Sequence, residues 1–413
     1  MQATLLRVNR DYRLLFSASA VSNLADGISM VAIPWLATML TSDPLLISMI
    51  AVAQRMPWLL FALPVGVWTD RSDRRLLMVR ADLVRLALMI CAVAMISATT
   101  ALPRPADAGM TAIFSLAVIA FLLGCAEVVR DNAAQTILPS LVAANDLEHA
   151  NGQMWSAEQV TGQFIGPPLA GLLITAGIAF PFGLDAGFYA VSALLIWLIV
   201  LPPRKPSGTF AFWPALLEGL GWMRRHKMIL RLALMLGIIN AVFVGGMTIL
   251  VLYAQEVLQL SAAAYGVLLT CGAAGGVLGG LTSPWLARRL GARKSLVLVL
   301  CIFALFNLAL GLSGSVPLVA LGLFFEAAAG MLWNVVTVSY RQRLIPDALL
   351  GRVNSVYRFF GWGAMSFGAL AAGLLVSLAE PAFGRIAALH LPYLIGASIS
   401  VVLAIYGFFR LRF

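Results

Sequence analysis

Asp26, Arg55 and Glu326 each stand deep inside a long apolar stretch of this 413-residue chain. An ionisable side chain in such surroundings is strongly disfavoured unless a partner or water reaches it, so these three residues are where chemistry is sought first. An aspartate facing an arginine stays ionised as a pair, whereas an unpartnered one takes up a proton; a cycle that alternates the two states moves protons. The stretches holding Asp26 and Arg55 are joined by a short turn and are antiparallel neighbours, which predicts a buried Asp26–Arg55 pair, either a switch or a static salt bridge. Glu326 has no basic residue at its depth, and Trp333 and Asn334 share its stretch. For Glu326 a proton-carrying role and a plain hydrogen bond to Asn240 or Asn307 both stay open. Asp26, Arg55, Glu326, Asn240 and Asn334 are thus the expected proton and substrate set. Asp82 and Arg85, three apart, and Glu158 read as local pairing nearer one end. His149, His226 and His390 fall in loops or at segment ends, which leaves histidine out of proton carriage. Cys91, Cys125, Cys271 and Cys301 lie singly in four stretches without metal-ligand spacing, so neither a metal nor a resident cofactor is expected.

The elements that must position these residues are membrane helices. Apolar stretches cover residues 12–40, 46–68, 79–99, 110–129, 153–178, 182–201, 230–254, 262–286, 295–313, 317–340, 356–378 and 390–409. Each is close to the ~20 residues that carry a helix across ~30 Å of hydrocarbon. Of the 28 Lys and Arg residues, all but Arg55, Arg85, Arg104 and Arg385 lie within about a turn of one set of ends, in alternate gaps. The positive-inside rule therefore predicts twelve spans with both termini cytoplasmic. With 61% hydrophobic and 11% charged residues, the chain has too little polar surface for a soluble globule. The net charge of +10 is spread over alternate loops and lines no single basic face, so it fits anionic lipid headgroups and excludes a nucleic-acid partner. No cleavage pattern precedes the first stretch, which is expected to remain in the mature protein.

Two halves repeat one another. Ile137-Leu138-Pro139 precedes Asn151 and the fifth stretch, as Leu344-Ile345-Pro346 precedes Asn354 and the eleventh. Gly166-Pro167-Pro168-Leu169-Ala170-Gly171-Leu172-Leu173 parallels Gly368-Ala369-Leu370-Ala371-Ala372-Gly373-Leu374-Leu375, with both glycines and both leucines in register. Such repeats build many secondary transporters around a central site. The expected organisation is a six-helix bundle over 1–203, a cytoplasmic linker over 204–228 and a second bundle over 229–413. Within the linker, Trp213, Leu216, Leu217, Leu220 and Met223 recur at helical spacing, which predicts a short amphipathic helix, laid on the inner leaflet or docked on the bundle.

The loop after the second stretch reads Gly66-Val67-Trp68-Thr69-Asp70-Arg71-Ser72-Asp73-Arg74-Arg75. It resembles the GxxxDRxGRR signature of the major facilitator superfamily, and the layout of six plus six spans extends that resemblance over the whole chain. The resemblance implies an all-α integral membrane fold, twelve transmembrane helices in two pseudo-symmetric bundles around a central cavity, in a bacterial inner membrane. It implies that Asp70, Arg71 and Arg75, with Gly66, hold the cytoplasmic side closed, with Glu127, Arg130 and Asp131 as partners. Asp73 departs from the pattern where a glycine is usual, and a left-handed Asp is expected to keep the turn. Gly162, Gly166, Pro167 and Gly171 resemble, incompletely, the antiporter element of the same superfamily; close helix packing explains the same spacing.

No phosphate-binding GxxxxGK[ST] loop and no HExxH or GxSxG pattern with plausible partners is present, so neither ATP hydrolysis nor another enzyme activity is expected. The expectation is a secondary active transporter working by alternating access, energised by a proton gradient and exporting an amphipathic drug, siderophore or other metabolite, as a monomer. A nutrient importer and a non-transporting receptor or assembly protein on the same scaffold remain the alternatives.

Overall fold

In the computed structural model, which describes residues 5–99, 102, 110–201 and 212–411, the chain is a succession of helices with no strand among the described residues. We number the long helices α1 (Arg10–Leu40), α2 (Pro44–Arg71), α3 (Arg74–Ser97), α4 (Met110–Ile137), α5 (147–176) and α6 (Ala179–Trp197). After the linker come α7 (Lys227–Glu256), α8 (262–290), α9 (292–312), α10 (Val316–Leu344), α11 (Asp347–Phe383) and α12 (Arg385–Arg410). α8 and α9 run into one another, but Gly291, at φ 76° and ψ 164°, leaves the helical region and separates them. A left-handed φ of this kind suits glycine, which has no Cβ to clash.

Nine helices among the described residues are long and apolar enough to cross a bilayer, with 262–312 counted once. Two of the expected spans fail that test for physical reasons. α3 carries Arg80, Asp82 and Arg85 within its apolar stretch. α5 is interrupted: an α-helical piece, Leu147–Glu158, is followed by a π-helical one, Gln159–Ile165, before Gly166–Ala176 resumes the α-helix. Both exceptions border the cavity described below.

The chain divides into two compact units, residues 1–42, 53–210 and 261–267 in the first and residues 43–52, 211–260 and 268–413 in the second. In the first unit α3 packs along α6 and α4, and α1 lies against α5 and α6. Tyr12, Leu15, Met78, Ile137 and Ile196 form the apolar core at the end where α1 begins. α1 is capped there by Asn9, whose side chain accepts from the Tyr12 amide at 2.9 Å. In the second unit α7 packs along α11 and α12, and Ile229, Leu232, Leu300, Trp333 and Tyr357 are among its core residues.

The linker segment 202–211 lies outside the described residues. Beyond it the amphipathic helix Phe212–Arg225 is present and is docked: Met223 is buried, Glu218 pairs with Arg352, and Gly219 sits against the Arg352 backbone of α11. The side chains of Trp213 and Leu216 lie outside the described residues, and Leu217 is exposed.

Candidate functional site

Within the first unit α6 presents three polar side chains along one face, Asp185, Tyr189 and Ser192, at i, i+4 and i+7. Each meets a different partner. Asp185 Oδ2 accepts the Ser29 hydroxyl at 2.6 Å, the Tyr189 hydroxyl donates to Asp26 Oδ1 at 3.0 Å, and the Ser192 hydroxyl donates to Asp82 Oδ2 at 2.6 Å. Ser29 and Asp26 are three apart on α1, so α1 and α6 are joined by two polar rungs one turn apart.

Arg85 on α3 completes the middle rung. Its Nη2 donates to Asp26 Oδ1 at 2.9 Å, its Nη1 donates to Ser22 Oγ at 3.1 Å, and its guanidinium lies 4.9 Å from the Tyr189 ring centroid. Behind it Asp82 takes Arg130 Nε at 3.0 Å and lies 3.8 Å from Arg85 Nη1. The result is a chain of alternating charge, Asp26–Arg85–Asp82–Arg130, in which Asp82, Arg85 and Arg130 are at most 2% exposed. Buried charges are tolerated when each is paired and hydrogen-bonded, as these are.

The open end of this chain is a cavity of about 250 Å³. Asp26 and Arg85 reach it from α1 and α3, Arg55 from α2, Glu127 and Asp131 from α4, and Glu158 from α5, with Asn23, Ser29, Gln54, Gln163 and Tyr189 between them and Met30, Ile33 and Leu123 supplying apolar wall. The cavity is therefore lined by both signs of charge, by amides and hydroxyls, and by one aromatic ring. Gly27 and Gly162 line it where α1 and α5 cross, and a Cβ on Gly166 would fall 2.6 Å from the Gly27 Cα. Here the antiporter-like element works as a close crossing. Gly162 packs on the Asn23 backbone, Gly166 on Gly27, and Gly171 on Ala262, while Gly266 sits against Pro167. The π-helical stretch, closed by the Gly166 amide donating to the Thr161 carbonyl, lies beside that crossing. π-Bulges of this kind recur at functional sites.

Several expectations are corrected. Asp26 is paired with Arg85 on α3 and not with Arg55; Arg55 lines the same cavity and forms no hydrogen bond or ion pair among the described residues. The face that α2 turns toward α1 was not readable from spacing. Asp82 and Arg85 are not merely an i,i+3 pair, because each has its shorter contact across to another helix. Glu127 and Asp131 line the cavity, and Arg130 is held by Asp82 and the Ala18 carbonyl; the side chains of Asp70 and Arg71, their expected partners, lie outside the described residues. Asp185 was not singled out, although its polar stripe with Tyr189 and Ser192 was visible in the sequence.

In the loop itself, the side chains of Asp70 and Arg71 lie outside the described residues. Arg75 donates to the Ile199 carbonyl at 3.0 Å beyond the end of α6 and stacks 5.5 Å from Trp197. Gly66 has open space at its Cα. Asp73 does not adopt a left-handed turn: it sits at φ −68° and ψ 108° as the N-cap of α3, accepting from the Leu76 amide at 3.1 Å. An N-cap carboxylate satisfies helix donors that a glycine leaves to water.

In the second unit Glu326 is 7% exposed and borders a small void with Asn307, Phe306 and Tyr393. It forms no hydrogen bond or ion pair among the described residues. Asn307 donates to its own helix at Phe303, Asn240 donates to the Gly361 carbonyl at 2.9 Å, and Asn334 is exposed. The structure therefore brings Asp26, Arg55, Glu127, Asp131 and Glu158 to one cavity of the first unit, while Glu326, Asn240 and Asn334 belong to the second unit.

Comparison with known proteins follows the same lines. A family model described as "Transmembrane secretion effector" matches residues 6–409. The chain is 27% identical over 392 residues to the enterobactin exporter EntS of Shigella boydii serotype 4 (strain Sb227), covering 92% of this chain and 89% of that protein. It is equally similar, at 27% over 392 residues, to the enterobactin exporter EntS of Escherichia coli O81 (strain ED1a). Among solved structures it resembles a bacterial homologue of the iron transporter ferroportin in the inward-facing state, with a TM-score of 0.76, 17% identity and coverage of 99% and 100% of the two chains. It also resembles the nucleoside transporter NupG, with a TM-score of 0.73, 13% identity and coverage of 97% and 99%.

Proposed function

Since the chain belongs to the transmembrane secretion effector family of the major facilitator superfamily, we propose that this multi-pass membrane transporter exports an amphipathic, siderophore-like small molecule in exchange for protons. The observation that carries this reading is the cavity of the first unit, where two guanidiniums and four carboxylates meet amides, a phenol and apolar wall. At about 250 Å³ it lies just below the ~300–1,000 Å³ of drug-sized pockets, which suits one polar, aromatic end of a larger ligand. Arg55, which forms no ion pair or hydrogen bond among the described residues, is available to an acidic or phenolic oxygen, and Tyr189 offers a ring face.

Alternation between the paired and opened states of Asp26 and Arg85 supplies the switch on this reading. A ligand oxygen that competes for Arg85 releases Asp26, and Arg85 itself is buried, so the guanidinium it engages is poorly hydrated. The exporters of enterobactin among the relatives support a siderophore as substrate class. The distribution of Lys and Arg supports an inner-membrane orientation with both termini cytoplasmic.

The test is accumulation of enterobactin and of fluorescent amphipathic dyes by everted membrane vesicles, with and without collapse of the pH gradient. Accumulation above an empty-vector control that disappears with the gradient is the expected result. Accumulation that persists after collapse removes proton coupling, and uptake in the opposite direction removes export.

A further inference from the structure

Asp185 is fully buried in the first unit, and the switch described above does not use it. Its Oδ2 accepts from Ser29, while its Oδ1 is buried with no hydrogen-bond partner among the described residues. The charged and titratable groups facing it are Asp26 from α1, Arg85 from α3 and Tyr189 from its own helix; the adjoining α5 segment Gly166–Ala176 contains none. Arg85 is engaged by Asp26 and does not touch Asp185. The two aspartates on neighbouring rungs are thus unequal: Asp26 has a guanidinium and a phenol, and Asp185 has one hydroxyl.

We infer that Asp185 is the residue that carries the exchanged proton, and that Ser29 is the hydroxyl connecting it to the cavity. The inference rests on the proton-coupled reading above. A buried carboxylate with a single neutral donor and no cation in contact with it, the facing Arg85 being held by Asp26, leaves its charge poorly compensated. Protonated on Oδ2, the same group donates to Ser29 Oγ and leaves Oδ1 as a carbonyl oxygen, which tolerates lack of a donor far better than a carboxylate oxygen does. Ser29 borders the cavity and Asp185 does not, so a proton crosses the hydroxyl to arrive. In loading, Ser29 passes its hydroxyl proton to Asp185 Oδ2 and takes one from a hydronium ion in the cavity. The serine is unchanged, the hydronium becomes water and the carboxylate becomes an acid; release is the reverse. Because Asp26 and Ser29 occupy one turn of α1, a ligand that opens the Asp26 rung shifts Ser29 with it, which ties proton access to ligand binding.

The full chain in proteoliposomes provides the test. Infrared spectra at neutral pH should contain a carboxylic-acid carbonyl band, shifted in heavy water, that Asp185→Asn removes. Asp185→Asn should exchange enterobactin across the membrane at the wild-type rate while gradient-driven accumulation falls about a hundredfold. An infrared band unchanged by Asp185→Asn overturns the assignment, as does accumulation by that variant under a pH gradient to which the wild type responds. A wild type indifferent to the gradient marks instead the failure of the coupling reading, and the two failures are thereby distinguished. If Asp185→Asn does not fold, Asp185→Glu decides the point, since its acid band must move with the longer side chain; an unmoved band overturns the assignment.

Discussion

The guanidinium of Arg85 lies 4.9 Å from the ring centroid of Tyr189 while both side chains donate to the same oxygen of Asp26. One acceptor is thus clamped from two helices, and the clamp is planar on the arginine side. Lysine cannot reproduce this arrangement, because it lacks the fork that reaches Asp26 and Ser22 together and the flat face that stacks on a phenol. Arg85→Lys should therefore yield folded protein with export reduced at least about tenfold, checked by initial rates in everted vesicles against the amount of inserted protein.

Asp82 and Arg130 are a different case, since both are buried and neither borders the cavity. Removing one partner strands the other charge, so Asp82→Ala or Arg130→Ala should cost about 3–5 kcal/mol each. Replacing both with apolar residues should cost clearly less than the sum of the two single changes. Thermal unfolding of the detergent-solubilised variants, read as a double-mutant cycle, checks this.

The α1–α5 crossing leaves no room for side chains. Gly27→Ala and Gly166→Ala each push a methyl group into the opposing backbone and should lower the unfolding midpoint and abolish export. Gly183→Ala and Gly187→Ala on α6 meet nothing within 4 Å and serve as matched controls that should behave as wild type.

Glu326 is buried and has no hydrogen-bonded partner to lose among the described residues, so Glu326→Gln should leave a folded, inserted protein of undiminished stability, checked by thermal unfolding. Retained gradient-driven accumulation in Glu326→Gln would assign proton handling to the first unit alone; lost accumulation in a stable variant would add Glu326 to it.

How far the sequence carried is best seen residue by residue. Asp26 was legible because a charge in an apolar run is conspicuous whatever the fold. Its partner was not, because choosing between Arg55 and Arg85 requires the rotation of α2 and α3 about their axes, which tertiary packing sets. Asp185 was missed because depth was the criterion, and it stands only about two turns into α6; what marks it is the i, i+4, i+7 stripe with Tyr189 and Ser192. The secretion family itself was legible at the superfamily level from one loop and the spacing of charges, since both record how the chain crosses a bilayer.

The π-helical stretch Gln159–Ile165 sets the rotation of one part of α5 against the other. Relative to an α-helix it holds one surplus residue, so the two flanks of α5 are out of phase by about 100°. That offset is what lets Glu158 and Gln163 face the cavity while Gly166 and Gly171 face their neighbours. Excising a single residue from this stretch would bring the helix back to uniform winding, and either the acid or the glycine crossing would be turned aside. The length of α5 is in this sense a setting of angle, and point deletions there should be far more damaging than substitutions at the same positions.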